Sequence, residues 1–67
     1  MGELFCYRFF DKTTWDIFFV RAHNKGEAIC IADYFRIYPY EFCGVTAYEN
    51  ALLSRATIYE KPLTVDW

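Results

Sequence analysis

Two kinds of hydrophobic pattern follow each other along this chain. Residues 3–10 are dense in aromatics and hold no glycine or proline, so they read as a strand. Asp11-Lys12-Thr13-Thr14 is polar and turn-forming. Residues 15–22, rich in β-branched and aromatic side chains, make a second strand, paired to the first as a hairpin.

The period then lengthens. Asn24, with Glu27 three residues on, has the form of a capping box with Asn in the place of Ser or Thr. Ala28, Ile31, Ala32, Phe35 and Tyr38 recur at helical spacing and make one apolar stripe. Pro39 has no amide donor and turns Tyr38 away from helical angles, so the spacing predicts a helix over 25–38. Cys30, Tyr34 and Ile37 fall on its outer side, where single exposed apolar side chains are ordinary.

Residues 42–48 predict a third strand, with Gly44 as a weak point or bulge. Glu49-Asn50 has the form of a two-residue turn, which makes 51–59 a fourth strand hairpinned to the third. A competing reading makes 48–55 a short helix, since Glu, Ala, Leu and Arg favour helix; 56–59 is strand-like in both. The strand reading is preferred. Pro62 ends it, and 63–67 forms a tail or a short edge strand. The expected order is ββαββ in one small domain spanning 1–67. That is an α+β, two-layer architecture with one helix packed on a four-stranded, mostly antiparallel sheet.

Alternation along the first hairpin sorts its side chains. With Phe10 opposite Trp15, one face takes Phe5, Tyr7 and Phe9 with Asp16, Phe18, Val20 and Ala22. The other takes Leu4, Cys6, Arg8 and Phe10 with Trp15, Ile17, Phe19 and Arg21. A turn at 49–50 groups Thr46, Tyr48, Leu53 and Arg55, and places Val45 and Leu52 under the helix. One helix covers one face. The face expected to be free carries Arg8, Phe10, Trp15, Ile17, Phe19, Arg21, Tyr48 and Arg55. Large contiguous apolar patches are rare on monomers, and aromatics with Arg are enriched at interface hot spots. This face is therefore the expected partner-binding surface, for another protein or for a second copy in a homodimer. A tail carrying Leu63, Val65 and Trp67 and folded back is the other way to cover it.

Composition sharpens this picture. The chain has 67 residues, 55% hydrophobic and 22% aromatic, with seven Phe, six Tyr and two Trp. A domain of this size buries only about 60% of the surface its unfolded chain exposes, so dense apolar content is what lets it fold. Disorder is excluded. No membrane association is expected: Arg8, Asp16, Arg21, Asp33 and Arg36 break the apolar runs before about 18 residues accumulate. The N-terminus has no basic region of a signal peptide, and Cys6 stands where myristoylation after Gly2 wants Ser or Thr. Cys6, Cys30 and Cys43 are odd in number and irregular in spacing. They fit small hydrophobes in a reducing, cytoplasmic setting better than a disulfide framework. A net charge of −2 and a pI near 5.2 argue against a broad nucleic-acid footprint.

Catalytic constellations are missing from the sequence. His23 is the only histidine and has no evident cysteine partner or activating third group. The cysteines lack the close C-x₂₋₄-C pairing of a structural zinc site, and Gly26 stands alone where a phosphate loop needs several glycines. No catalysis, metal or cofactor is expected. The expected function is a small non-enzymatic protein-binding module. In size, acidity and layout the chain resembles the short accessory proteins of phages and mobile elements, including anti-CRISPR and other anti-defence inhibitors. That resemblance, of size and layout alone, implies an inhibitor acting on a protein target. One alternative is a single-stranded nucleic-acid binder that stacks bases on the aromatics and meets phosphates with Arg8, Arg21 and Arg55. Another is a homodimeric structural protein.

Overall fold

The computed structural model describes residues 3–61. The elements run β1 (Phe5–Asp11), β2 (Asp16–Ala22), α1 (Lys25–Tyr34), β3 (Tyr40–Thr46), α2 (Tyr48–Leu53) and β4 (Thr57–Glu60). The class is α+β. The four strands form one mixed sheet in the order β3-β1-β2-β4, in which β1 is antiparallel to β2 and β3 while β4 is parallel to β2. The expected ββαββ order is corrected. A helix stands at 48–53 in place of the first half of a hairpin strand, and β4 joins the far edge of the sheet instead of pairing with β3.

The first hairpin sits two residues away from its expected register: Phe9 faces Phe18 and Tyr7 faces Val20. The turn is the cause. Asp11 continues β1, and its Oδ1 accepts the amides of Thr13 at 2.8 Å and Thr14 at 3.3 Å. Trp15 closes the loop with φ 62°, its amide donating to the Asp11 carbonyl at 2.8 Å. A slip of two keeps every side chain on its face, so the expected sorting of the hairpin holds.

On one face Phe9, Phe18, Val20 and Ala22 pack against Ala28, Ile31 and Ala32 of α1. Asn24 caps this helix by accepting the Glu27 amide at 2.8 Å. The helix stops four residues before the predicted 38. Arg36 donates to the Asp33 carbonyl at 3.0 Å and Ile37 to the Ala32 carbonyl at 3.2 Å, with Arg36 at φ 57°. These two bonds are a Schellman ending, with arginine where glycine is usual. The turn folds Ile37 back onto the core, not outward as expected. It also takes Phe35 and Tyr38 off the buried stripe, at 39% and 58% exposure, and Phe35 instead meets Tyr59 at 4.9 Å between ring centroids.

β3 carries a bulge opposite Arg8 and Phe9, where Gly44 takes φ 131°. Val45 pairs with Tyr7 and so sits on the α1 side, yet it is 56% exposed. The helix packs chiefly on β2 and β4 and meets edge strand β3 through Asp33 at the Tyr40 hydroxyl and Lys25 over the Phe42 ring, which leaves Val45 open and corrects its expected burial.

The opposite face has its own helix. The links β2-α1-β3 and β3-α2-β4 join parallel strands while crossing the sheet in opposite directions. Crossovers of one hand that travel in opposite directions pass on opposite faces. α2 accordingly seats Ala51 on Cys6 and Phe19, with Tyr48, Ala56 and Ile58 packed around them. Leu52, expected under α1, is 52% exposed on α2 instead. Leu63, Val65 and Trp67 lie outside the described residues. Among the described residues no helix is long and apolar enough to cross a membrane.

Candidate functional site

The face under α2 is a ladder of three rungs running from a closed end to an open one. Strand pairing puts Cys6, Arg21 and Glu60 on the first rung, Arg8, Phe19 and Ile58 on the second, and Phe10 with Ile17 on the third. α2 covers the first two. Its helix is only six residues long and stops before the third rung. Trp15, in the turn beyond Ile17, packs edge-on against Phe10 with 5.8 Å between centroids and remains 76% exposed.

The expected binding residues therefore divide. Phe19 is 4% exposed and belongs to the core beneath Ala51, which corrects its expected place on a free surface. Arg21 is half-buried: its guanidinium lies 4.3 Å over the Tyr48 ring and its Nη1 is 3.3 Å from Glu60 Oε1. Tyr48 serves as that platform. Phe10, Trp15 and Ile17 stay together at the open end. Arg8 is exposed and its Nη2 reaches the Cys43 carbonyl at 3.5 Å, on the β3 side. Arg55 is exposed just before β4, on the other flank.

A cleft of about 520 Å³ opens at this end, lined by Trp15, Asp16, Ile17, Ser54, Arg55, Ala56 and Thr57. Its second wall is the exit from α2. Ser54 Oγ donates to the Ala51 carbonyl at 2.6 Å and accepts the Ala56 amide at 3.3 Å, while the Arg55 amide donates to Leu52 at 3.3 Å. The serine hydroxyl thus relays the long bond of a Schellman ending through its own oxygen. Arg55 holds φ 59° in that turn. Two bulky residues in the left-handed region, Trp15 and Arg55, face one cleft across its width. For residues with a Cβ that conformation costs roughly 1–2 kcal/mol.

Ser54, Ala56 and Thr57 were not among the residues singled out from the sequence. Accepting 48–53 as a helix would have marked Ser54-Arg55 as its exit and brought this wall into view. Exposed aromatics also lie on the other side of the sheet. Tyr34 and Phe35 meet edge-on at 5.2 Å, with Tyr38 nearby in sequence, at the end of α1.

His23 occupies a smaller cleft of about 200 Å³ with Leu4, Arg21, Glu27, Glu60 and Lys61. Its Nδ1 lies 3.0 Å from Glu27 Oε1, and its amide donates to the same oxygen at 3.1 Å. This carboxylate–imidazole pair ties the end of β2 to the first turn of α1. Among the described residues, no serine, threonine or cysteine lines the cleft to act as a nucleophile. Among the described residues no group of three or more His, Cys, Asp or Glu side chains is placed to hold a metal. Desolvation pushes the buried Cys6 thiol up; the charge of Arg21 pulls it down in part, and Glu60 adds a lesser push upward.

Comparison with protein-family models, with curated proteins and with solved structures finds no match to this chain.

Proposed function

We propose that this protein is a non-enzymatic binding module that docks another protein at the open end of its α2-side face. The observation that carries the reading is Trp15, which is 76% exposed at the rim of a cleft and is held by a left-handed backbone in a fixed hairpin turn. A large, rigid, amphipathic side chain presented on a tight turn contributes contact area at little entropic cost. Ile17, 38% exposed, and the half-buried Phe10 extend the apolar strip, with Arg8 and Arg55 on its flanks. Inhibition of a host defence protein is one form such docking would take.

The single-stranded nucleic-acid reading loses support on specific residues. Phe19 is buried, and Arg21 is engaged by Tyr48 and Glu60. Trp15 and Phe10 remain for stacking, with Arg8 and Arg55 for phosphates, a narrow footprint for a chain of net charge −2.

Light scattering on a size-exclusion column, run over a concentration series for wild type and Trp15→Ser, tests the site and separates its two kinds of partner. A dimer lost in Trp15→Ser makes the partner a second copy. A monomer in both variants leaves a foreign protein as the partner. A dimer that survives Trp15→Ser would place the association surface elsewhere and contradict the reading.

A further inference from the structure

We infer that α2 is a lid: it lifts off the sheet as a unit while the four strands and α1 stay folded, and in lifting it uncovers Cys6 and Phe19. The contrast between the two helices carries the inference. α1 is capped by the Asn24 side chain and buries Ala28, Ile31 and Ala32. α2 has six residues, starts from Ala47, whose methyl group cannot cap it, and buries Ala51. A helix this short does not hold together in water by itself, so it stays helical only while it is packed. Its two leucines do not supply that packing, because Leu52 and Leu53 face solvent. The small Ala51 side chain seated on Cys6 and Phe19, with Tyr48 under the Arg21 guanidinium, fastens α2 to the sheet.

The two ends of α2 suit a hinge. Ala47 is extended, at φ −71° and ψ 151°, and Arg55 is left-handed, at φ 59°. The strain at Arg55 is carried by the closed state and released when the segment opens. The strands on either side are anchored separately, β3 to β1 and β4 to β2, so both stay in place when α2 lifts. Segments with few buried apolar contacts open locally at a lower free energy than the whole fold. With α2 lifted, Phe19 joins Phe10 and Ile17 in one apolar strip across β1 and β2, a strip that the closed state shows only at the Trp15 end.

The test follows alkylation of Cys6 by N-ethylmaleimide in the folded protein, read by peptide mass over a urea series kept below the unfolding midpoint. At low reagent the rate reports the opening equilibrium. Cys6 should be labelled at least about tenfold faster than global unfolding allows. The rate should also rise much less steeply with urea than global unfolding does, because only the surface under α2 is exposed. Tyr48→Ala removes the platform under Arg21 and should speed labelling at least about twofold. Ala51→Gly weakens both the helix and its seat and should act in the same direction, which keeps the test open if one of the two variants fails to fold. Ile31→Val loosens the core beneath α1 and lowers the urea midpoint, yet should leave Cys6 labelling unchanged. Labelling that carries the full urea slope and speeds up in Ile31→Val in step with the midpoint would mean that Cys6 is reached only by global unfolding, and overturns the lid. A shallow slope indifferent to both Tyr48→Ala and Ala51→Gly would place the opening in another part of the fold, and overturns it too. Urea midpoints of all variants establish which are folded.

Discussion

The guanidinium of Arg21 lies 4.3 Å over the ring of Tyr48. Arg21 comes from the central strand β2 and Tyr48 from the first turn of α2, so this contact, with the seating of Ala51 on Phe19, holds α2 on the sheet. A cation over an aromatic ring contributes about 0.5–1 kcal/mol at a partly exposed site. The ion pair of Arg21 with Glu60, at 33% and 55% side-chain exposure, adds little beyond it. The apolar contacts therefore decide where α2 sits, and its short length decides how much of the face stays open.

The two aromatic positions of β2 and its turn separate sharply in stability. Phe19→Ala removes a buried ring from beneath α2 and is expected to cost about 3–5 kcal/mol. Trp15→Ser changes a mostly exposed side chain and is expected to stay within about 0.5 kcal/mol of wild type. Urea unfolding followed by far-ultraviolet circular dichroism checks both. Equal losses would mean that Trp15 is part of the core.

Both helices end on an arginine in the left-handed region, Arg36 at φ 57° and Arg55 at φ 59°. Glycine relieves that strain and gives back part of the gain as unfolded-state entropy. Each of Arg36→Gly and Arg55→Gly is expected to stabilise by up to about 1 kcal/mol. Only Arg55→Gly should weaken binding, because Arg36 lies at the end of α1, away from the cleft. Thermal melts beside a binding assay read the two effects apart. Binding lost equally in both variants would rule out the cleft as the site.

Two of the three thiols, Cys30 and Cys6, should react in a fixed order. Cys30 is exposed on α1, while Cys6 is fully buried and its thiol is pushed up by desolvation. A maleimide is expected to label Cys30 rapidly in the native protein and Cys6 only at the rate of opening. Rapid native labelling of Cys6, read by peptide mass, would mean that α2 does not cover it.

Acid stability should depend on Glu27. Burial pushes its carboxyl up, but hydrogen bonds from the His23 amide and ring, and the charges of His23 and Lys61, hold it below its usual 4.5. A carboxyl depressed in the folded state stabilises at pH above its unfolded value, and that stability is lost as pH falls through the folded value. Wild type should therefore lose stability in acid below 4.5 more steeply than Glu27→Gln. Denaturant midpoints taken across that window check the difference. Identical slopes would remove the His23–Glu27 tie from the account.

The faces of the hairpin were legible in the sequence because a slip of two residues, set by Asp11 and Trp15, preserves alternation. The helix start was legible in Asn24 and Glu27. Its end was not, because Pro39 is a visible stop whereas Arg36 carries no glycine signal for the turn that forms there. The six residues of α2 are too few for a helical period to emerge, and Glu49-Asn50 imitates a hairpin turn. Missing α2 meant counting Phe19 and Arg21 as free surface. Trp15, Ile17 and Arg55, by contrast, come together in the cleft although their expected strand pairing was wrong. The parallel pairing of β4 with β2 rests on contacts far apart in sequence, which local patterns do not record.

The central claim, a face closed by α2 at one end and open for docking at the other, is tested most directly by amide chemical-shift mapping. Nitrogen-15-labelled protein is titrated with a ligand obtained by selection on the wild type alone. The account predicts shifts grouped at Trp15, Ile17, Arg55 and Thr57, with Phe9, Ile31 and Tyr38 unmoved. Shifts grouped instead at Tyr34, Phe35 and Tyr38, on the α1 side, would contradict it.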